Sequence, residues 1–335
     1  MEHFEASASW KRAIEGVSGP SPTDSDDYRI ATAIGTTFLA RGRKGTPTLL
    51  IPLENVPAVP GRRGGGFALG PAERVAFQFN GRVWEQAAAT FECTEPHLID
   101  TFLVLVQDLT RRLASNLGLL TWQTLVEWVE EWQTLLARRR LLTLEQQIGL
   151  WAELWVIAQA SDPDALLQGW RGPEQEATDF FLDGIGLEVK ASRHAHVHYV
   201  SQRQVDGPVG VNQAFVLSIW AGIDPARGTS LSELIDFVVA RVADPPVLLR
   251  RITTLGYAPL DRESYIARFV PLEPPRWFSV QDIPRVRVVD PGVSQLRYLV
   301  RLDVGHALTE EASTELWRHF CGQSTHRIIR SDELS

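Results

Sequence analysis

The side chains best equipped for chemistry lie in one short stretch, Asp179-Phe180-Phe181-Leu182-Asp183-Gly184-Ile185-Gly186-Leu187-Glu188-Val189-Lys190. Asp183-Gly184 is a strong signal for a two-residue hairpin turn, because both loop positions ask for positive φ. With those two residues in the loop, Leu182 pairs with Ile185, and counting back places Asp179 opposite Glu188. Alternation along a strand then puts Asp179, Glu188 and Lys190 on one face, and Phe180, Leu182, Leu187 and Val189 on the other. Two carboxylates facing each other across a ladder repel unless a cation sits between them. The pattern therefore suits a divalent cation held by hard oxygen ligands, with an ammonium beside it.

Other groups qualify as candidates by their placement. Glu153 is the lone charge in an otherwise apolar run, Ile148 to Ala158, and lies roughly opposite Trp151 and Trp155 at helical periodicity. Such a glutamate sits either at a surface edge or buried with a partner. His194, His196 and His198 alternate and would face one way on a strand, where they could bind a metal, contact phosphate or line a surface. The glycines and arginines of Pro60-Gly61-Arg62-Arg63-Gly64-Gly65-Gly66 read as an open loop. A phosphate cradle is the alternative, but no Gly-Lys-Ser/Thr follows to make a P-loop.

Periodicity supplies the elements that must hold these groups. The first half reads as a helix over 2–15, then strands over Tyr28–Ile34, Thr37–Arg41 and Thr48–Leu53. A second hairpin follows about Asn80-Gly81, then helices from Pro96 to Ser115 and from Thr121 to the Arg138-Arg139-Arg140 run. That basic run suits a helix C-terminus first, with DNA contact as the alternative. Thr143-Leu144-Glu145-Gln146 has the form of a capping box and starts the Glu153 helix. Beyond the Asp183-Gly184 hairpin, a helical turn carries Gln202 and Gln204, and Gln213–Trp220 reads as an apolar strand. Helices are expected over Leu231–Val242 and Val247–Leu255, strands over Tyr265–Pro271, Val286–Val289 and Gln295–Leu302, and a last helix over Glu310–Phe320.

Composition sets the bounds. A chain of 335 residues with 44% hydrophobic and 22% charged content can bury more than one core. The net charge of −8 rules out a protein coated in positive potential, while leaving room for a local basic patch. Lysine occurs only at Lys11, Lys44 and Lys190, so the lysine two positions after an acid is informative. Cys93 and Cys321 make no zinc-spaced motif and are expected as reduced thiols. No membrane-spanning run and no signal sequence is evident, so a cytoplasmic protein without membrane attachment is expected.

The order of these elements resembles the PD-(D/E)XK nuclease core: a helix with Glu153, a strand with Asp179, a strand with Glu188-Val189-Lys190, a third strand, a helical turn and another strand. In particular it resembles the bacterial proteins grouped as domain of unknown function 4420. The resembling residues are Gly149-Leu150-Trp151-Ala152-Glu153-Leu154, Trp170-Arg171-Gly172-Pro173, Asp179-Phe180, Glu188-Val189-Lys190-Ala191-Ser192, and Val200-Ser201 with Gln204. Thr178 stands where the motif has its proline.

The resemblance implies an α/β (α+β) fold, with a restriction-endonuclease-like αβββαβ core and mixed sheet in a domain over 141–335. A β-rich and helical domain over 1–140 would precede it. It further implies Mg²⁺, with Mn²⁺ as substitute, on Asp179, Glu188 and the Val189 carbonyl. Glu153 would complete a second-metal site or support the first. Lys190 would orient or deprotonate the attacking water, and Gln204 would position water or phosphate. The implied function is a Mg²⁺-dependent DNA endonuclease of a bacterial restriction or phage-defence system; the alternative is an inactive nuclease-fold subunit that binds DNA or a partner. DNA is the expected partner, reached through Arg171, Arg193 and Arg203 as the arginines nearest in sequence. A homodimer and methyltransferase or ATPase/helicase partners belong to the same expectation.

Overall fold

The computed structural model describes residues 2–16, 28–42, 45–57, 61–79, 82–115, 120–136, 141–172, 178–206, 213–287, 292–293, 296–302 and 307–326. The basic run at 138–140, the Asn80-Gly81 tip and Pro173 lie outside the described residues. The chain forms two compact units, one of residues 1–140 with 245–253 and 258–261, the other of 141–244, 254–257 and 262–335.

The first unit opens with α1 (Glu2–Gly16) and continues into six strands: β1 (Arg29–Ile34), β2 (Thr37–Arg41), β3 (Pro47–Pro52), β4 (Arg62–Gly64), β5 (Phe67–Phe79) and β6 (Arg82–Cys93). They form one antiparallel sheet in the order β1-β2-β3-β6-β5-β4. The glycine-rich segment read as an open loop is instead a hairpin. Gly64 pairs with Phe67, and Gly65 and Gly66 take φ of 60° and 77°, values a non-glycine residue adopts only with strain. Strand β5 also begins earlier than the sequence suggests and includes Pro71, close to a register shift between Ala72 and Val75, where a lost N–H is tolerated.

Two helices, α2 (Ile99–Ser115) and α3 (Trp122–Leu136), complete the unit's continuous part. The indole N–H groups of Trp128 and Trp132 both donate to Asp108 Oδ2, at 2.9 and 2.8 Å.

The second unit begins with α4 (Leu144–Gln159), capped at Thr143 by the expected capping box with Gln146. This helix is apolar nearly all round, which is the mark of a helix enclosed by its domain. After α5 (Pro163–Gln168) come β7 (Phe180–Leu182), β8 (Ile185–Ser192), β9 (Val197–Ser201), α6 (Gln202–Asp206) and β10 (Gln213–Ile223). Strands β8 and β10 are parallel, in a register that sets Ser218 beside Lys190. A parallel pair needs a crossover, and β9 with α6 supplies it.

The mixed sheet grows outward through β11 (Thr229–Ser230) and, beyond α7 (Leu231–Val239) and α8 (Pro245–Thr254), through β12 (Arg268–Pro271) and β13 (Arg276–Ser279). Its order is β11-β12-β10-β8-β7, with β13 also on β10. Strand β14 (Arg297–Arg301) pairs with β9 as a separate two-stranded ribbon, and α9 (Glu310–Cys321) closes the unit. Strand β13 was not expected from sequence; the strand expected at 286–289 is absent at 286 and 287, and 288 and 289 lie outside the described residues.

Most of α8 belongs to the first unit. Arg250 stacks over the Trp132 ring at 4.3 Å and reaches Asp108 at 3.2 Å as well as Glu131. A planar guanidinium can stack and pair at once, which makes it the residue type for such a junction.

Candidate active site

The hairpin forms in the register read from its turn. Phe180 pairs with Leu187, Phe181 with Gly186 and Leu182 with Ile185. Asp183 and Gly184 adopt φ of 47° and 84°, as a type I′ turn requires. Asp179 immediately precedes the first paired residue, and its Oδ2 accepts a 2.7 Å hydrogen bond from the Val189 N–H. That bond ties the carboxylate to the strand that carries Glu188 and Lys190.

Glu188 is buried at 4% exposure, a rare position for a glutamate. Its Oε1 receives Lys190 Nζ at 2.7 Å and Gln204 Nε2 at 2.5 Å. Gln204 is itself immobilised by a capping box at the start of α6. Its Oε1 accepts from Ser201 N–H at 2.9 Å, and Ser201 Oγ accepts from Gln204 N–H. Gln204 thus fixes Glu188 with the same side chain that closes a helix end. The other oxygen, Glu188 Oε2, is buried with no hydrogen-bond partner.

Glu153 reaches the same place from α4. The segment before β7 runs antiparallel to it as a short extra edge: Phe181 N–H bonds Gly169 O, and Arg171 N–H bonds Asp179 O. This pairing brings the fully buried Trp170 beneath α4, where its indole N–H donates to Glu153 Oε2 at 2.7 Å. Gly172 leaves room for this bond: a Cβ there would stand 2.3 Å from Glu153 Oε2 and would push the carboxylate aside. The sequence singled out Trp170 and Gly172 as part of a motif, but neither periodicity nor charge announces the indole–carboxylate bond.

The family profile described as "Putative PD-(D/E)XK family member, (DUF4420)" matches residues 10–303. The chain belongs to this family. Nothing among the curated proteins or the solved structures matches the chain.

Electrostatics in this DUF4420 chain are those of crowded acids in a dry place. Burial first, then the charges of Glu188 and Glu153, holds the Asp179 carboxyl well above its ordinary range. Burial likewise raises Glu188, with Lys190 and Gln204 pulling the other way. Glu153 is pushed up to about 7 by burial, against the lowering effect of the Trp170 bond, and Glu188 adds to the rise. Burial alone would depress the Lys190 ammonium, but Glu188 and Asp179 outweigh it and raise its pKa.

Among the described residues no three His, Cys, Asp or Glu side chains form a ready-made metal cage. The residues nevertheless fit Mg²⁺, which keeps several waters and takes one or two carboxylates plus substrate phosphate. An acid pair kept from ionising together, with one oxygen buried and unpartnered, is the donor set such a cation would satisfy.

The histidines resolve differently from the pattern read in the sequence. Ala195 turns the chain at φ 50°, which leaves His194 exposed and buries His196 and His198. Both rings meet the Ser218 hydroxyl, His196 Nδ1 and His198 Nε2 each at 2.6 Å. His196 Nε2 also meets Glu273, 2.7 Å from Arg276. Burial first, then Lys190 and His196, brings the His198 pKa down to about 3, so that ring is neutral.

Of the arginines nearest in sequence, Arg203 is exposed on α6 and Arg193 lies 3.9 Å from Glu145. A further cation next to the site comes from far along the chain. Arg297, on β14, lies close enough to oppose protonation of Lys190. No helix among the described residues is long and apolar enough to cross a membrane.

Proposed function

We propose that this protein is a Mg²⁺-dependent DNA endonuclease built on a restriction-endonuclease-like αβββαβ core of α4, β7, β8, β9, α6 and β10. The observation that carries the reading is Glu188: one oxygen is clamped by Lys190 and Gln204, the other is buried and unpartnered, and its charge bears on Asp179. Asp179, Glu188 and the Val189 carbonyl would hold Mg²⁺ or Mn²⁺, which when bound neutralises phosphate charge and acidifies a nearby water. Glu153, fixed by Trp170, would support the far side of the same cluster.

The protonated Lys190, positioned by Glu188, orients the attacking water and offsets the charge that grows on the phosphate oxygens. A lysine whose pKa is raised serves this role better than that of a base. Gln204 spends both ends of its amide on Ser201 and Glu188, so its contribution is to hold the carboxylate in place. The assignment to a restriction or phage-defence system, with methyltransferase or ATPase/helicase partners, follows from the family resemblance.

The test is incubation of modified and unmodified plasmid with Mg²⁺, Mn²⁺ or EDTA. Nicking or linearisation is expected with either metal and is lost in EDTA. Asp179→Asn and Glu188→Gln abolish it, and Lys190→Arg is strongly impaired because a guanidinium does not reproduce a compact ammonium. Full cleavage by Glu188→Gln overturns the assignment. Wild-type protein that binds duplex but cuts in no metal is instead a binding subunit.

A further inference from the structure

The ribbon of β9 and β14 stands apart from the main sheet and has two unlike faces. Its inner face carries His198, Val200 and Val300, and the two valines belong to a core cluster with Val216, Phe278 and Leu302. By alternation, the outer face carries Val197, Tyr199 and Ser201 from β9 and Arg297, Leu299 and Arg301 from β14. None of these six is acidic, in a protein whose net charge is −8. Tyr199 and Leu299 face each other across the ladder and are 56% and 55% exposed, an unusual state for two large apolar side chains. Arg297 lies 5.0 Å from the Tyr199 ring, so the aromatic already presents a guanidinium outward.

The ribbon's position relative to the acids is fixed by pairing. Arg297 lies opposite Ser201, the residue that caps Gln204, and Gln204 holds Glu188. One end of the outer face is therefore two hydrogen bonds from the candidate active site. The other end, at Arg301, lies four residues on, or about 14 Å at ~3.4 Å per residue. That length spans roughly four base-pair steps of duplex. A two-stranded β-ribbon is one of the two elements that B-DNA's major groove admits.

We propose that the outer face of the β9–β14 ribbon docks in the major groove of duplex DNA beside the cleaved phosphate. Arg297 and Arg301 meet guanine edges or flanking phosphates, and Tyr199 and Leu299 meet thymine methyl groups. The inference rests on the nuclease reading and adds to it the surface that grips the substrate.

The experiment uses the full-length Asp179→Asn protein, which should hold DNA without cutting it. Affinity is measured for a thymine-containing duplex and for the same duplex with uracil, which lacks the methyl group, at two salt concentrations. Arg297→Ala with Arg301→Ala should weaken binding about tenfold or more and flatten the salt dependence by up to two phosphate contacts. Leu299→Ser should weaken binding to the thymine duplex but leave the uracil duplex nearly unchanged. Guanine N7 should be protected from methylation in the complex and less so in the arginine variant. A thermal melt of each variant separates lost DNA contacts from lost folding.

If the ribbon variants bind both duplexes like their parent, with N7 unprotected, the ribbon is not the docking surface, whatever wild-type cleavage shows. Lost salt dependence without any thymine–uracil difference reduces it to a phosphate contact and overturns the groove assignment. If plasmid is never cut while the ribbon effects appear, the nuclease reading fails and the docking surface stands. A parent protein with no affinity for DNA removes both.

Discussion

Replacing Glu153 by glutamine should stabilise the metal-free protein at alkaline pH, and the size of the gain follows from its environment. The Glu153 pKa rises from an ordinary 4.5 in the unfolded chain to about 7 in the folded one. Between those values the folded state binds more protons than the unfolded state, so stability falls as pH rises through that window. At about 1.36 kcal/mol per pH unit, the full loss above pH 7 is about 3 kcal/mol for this one group. Glutamine removes the charge, and its Oε1 can still accept the Trp170 indole N–H. The variant should therefore match wild type near pH 4.5 and exceed it by up to about 3 kcal/mol at pH 8. For a unit of this size the gain is about 6–12 °C in melting temperature. Thermal and urea melts of both proteins in EDTA, from pH 4.5 to pH 8, check this. Equal stability at pH 8, or a gain that does not grow with pH, would refute the claim that burial and Glu188 raise the Glu153 pKa.

Two further changes probe the scaffold. Trp170→Phe keeps the buried ring and removes only the donor to Glu153; it should cost about 1–3 kcal/mol in urea melts and lower cleavage without weakening DNA binding. Ser218→Ala leaves two buried imidazole nitrogens without their shared hydroxyl, so a comparable loss is expected, and the His196 and His198 ring resonances should shift together in NMR spectra.

What could be read ahead of the structure was whatever the backbone enforces locally. Asp183 and Gly184 specify a turn, the turn specifies the register, and the register carries Asp179 toward Glu188 and Lys190. The capping box at Thr143 is equally local and marks the start of α4 correctly. The rest depends on contacts between distant residues. Nothing near Glu153 in sequence shows that Trp170 will donate to it, because that bond exists only once the 169–171 segment pairs with the hairpin. Alternation makes the histidines three of a kind on one strand, but the turn at Ala195 separates His194 from the pair that meets Ser218. Arg297 sits beyond the last residue that the motif covers, and only its pairing with Ser201 brings it to the site. Strand β13 is four residues, too short for its alternation to stand out.

The return of α8 to the first unit changes what can be done with this chain in the test tube and on the ribosome. A fragment ending near residue 140 carries Trp132 and Asp108 but not the guanidinium that covers the indole, leaving Arg112 as the cation beside Asp108. Such a fragment would uncover an indole face that the intact protein keeps stacked, so no single cut yields the first unit whole. During synthesis the first unit must likewise wait, incomplete, until more than a hundred further residues have emerged and delivered Arg250. By then the hairpin with Asp179 and Glu188 is already outside the ribosome. The later-encoded unit is thus positioned to assemble its acids before its predecessor in sequence is finished.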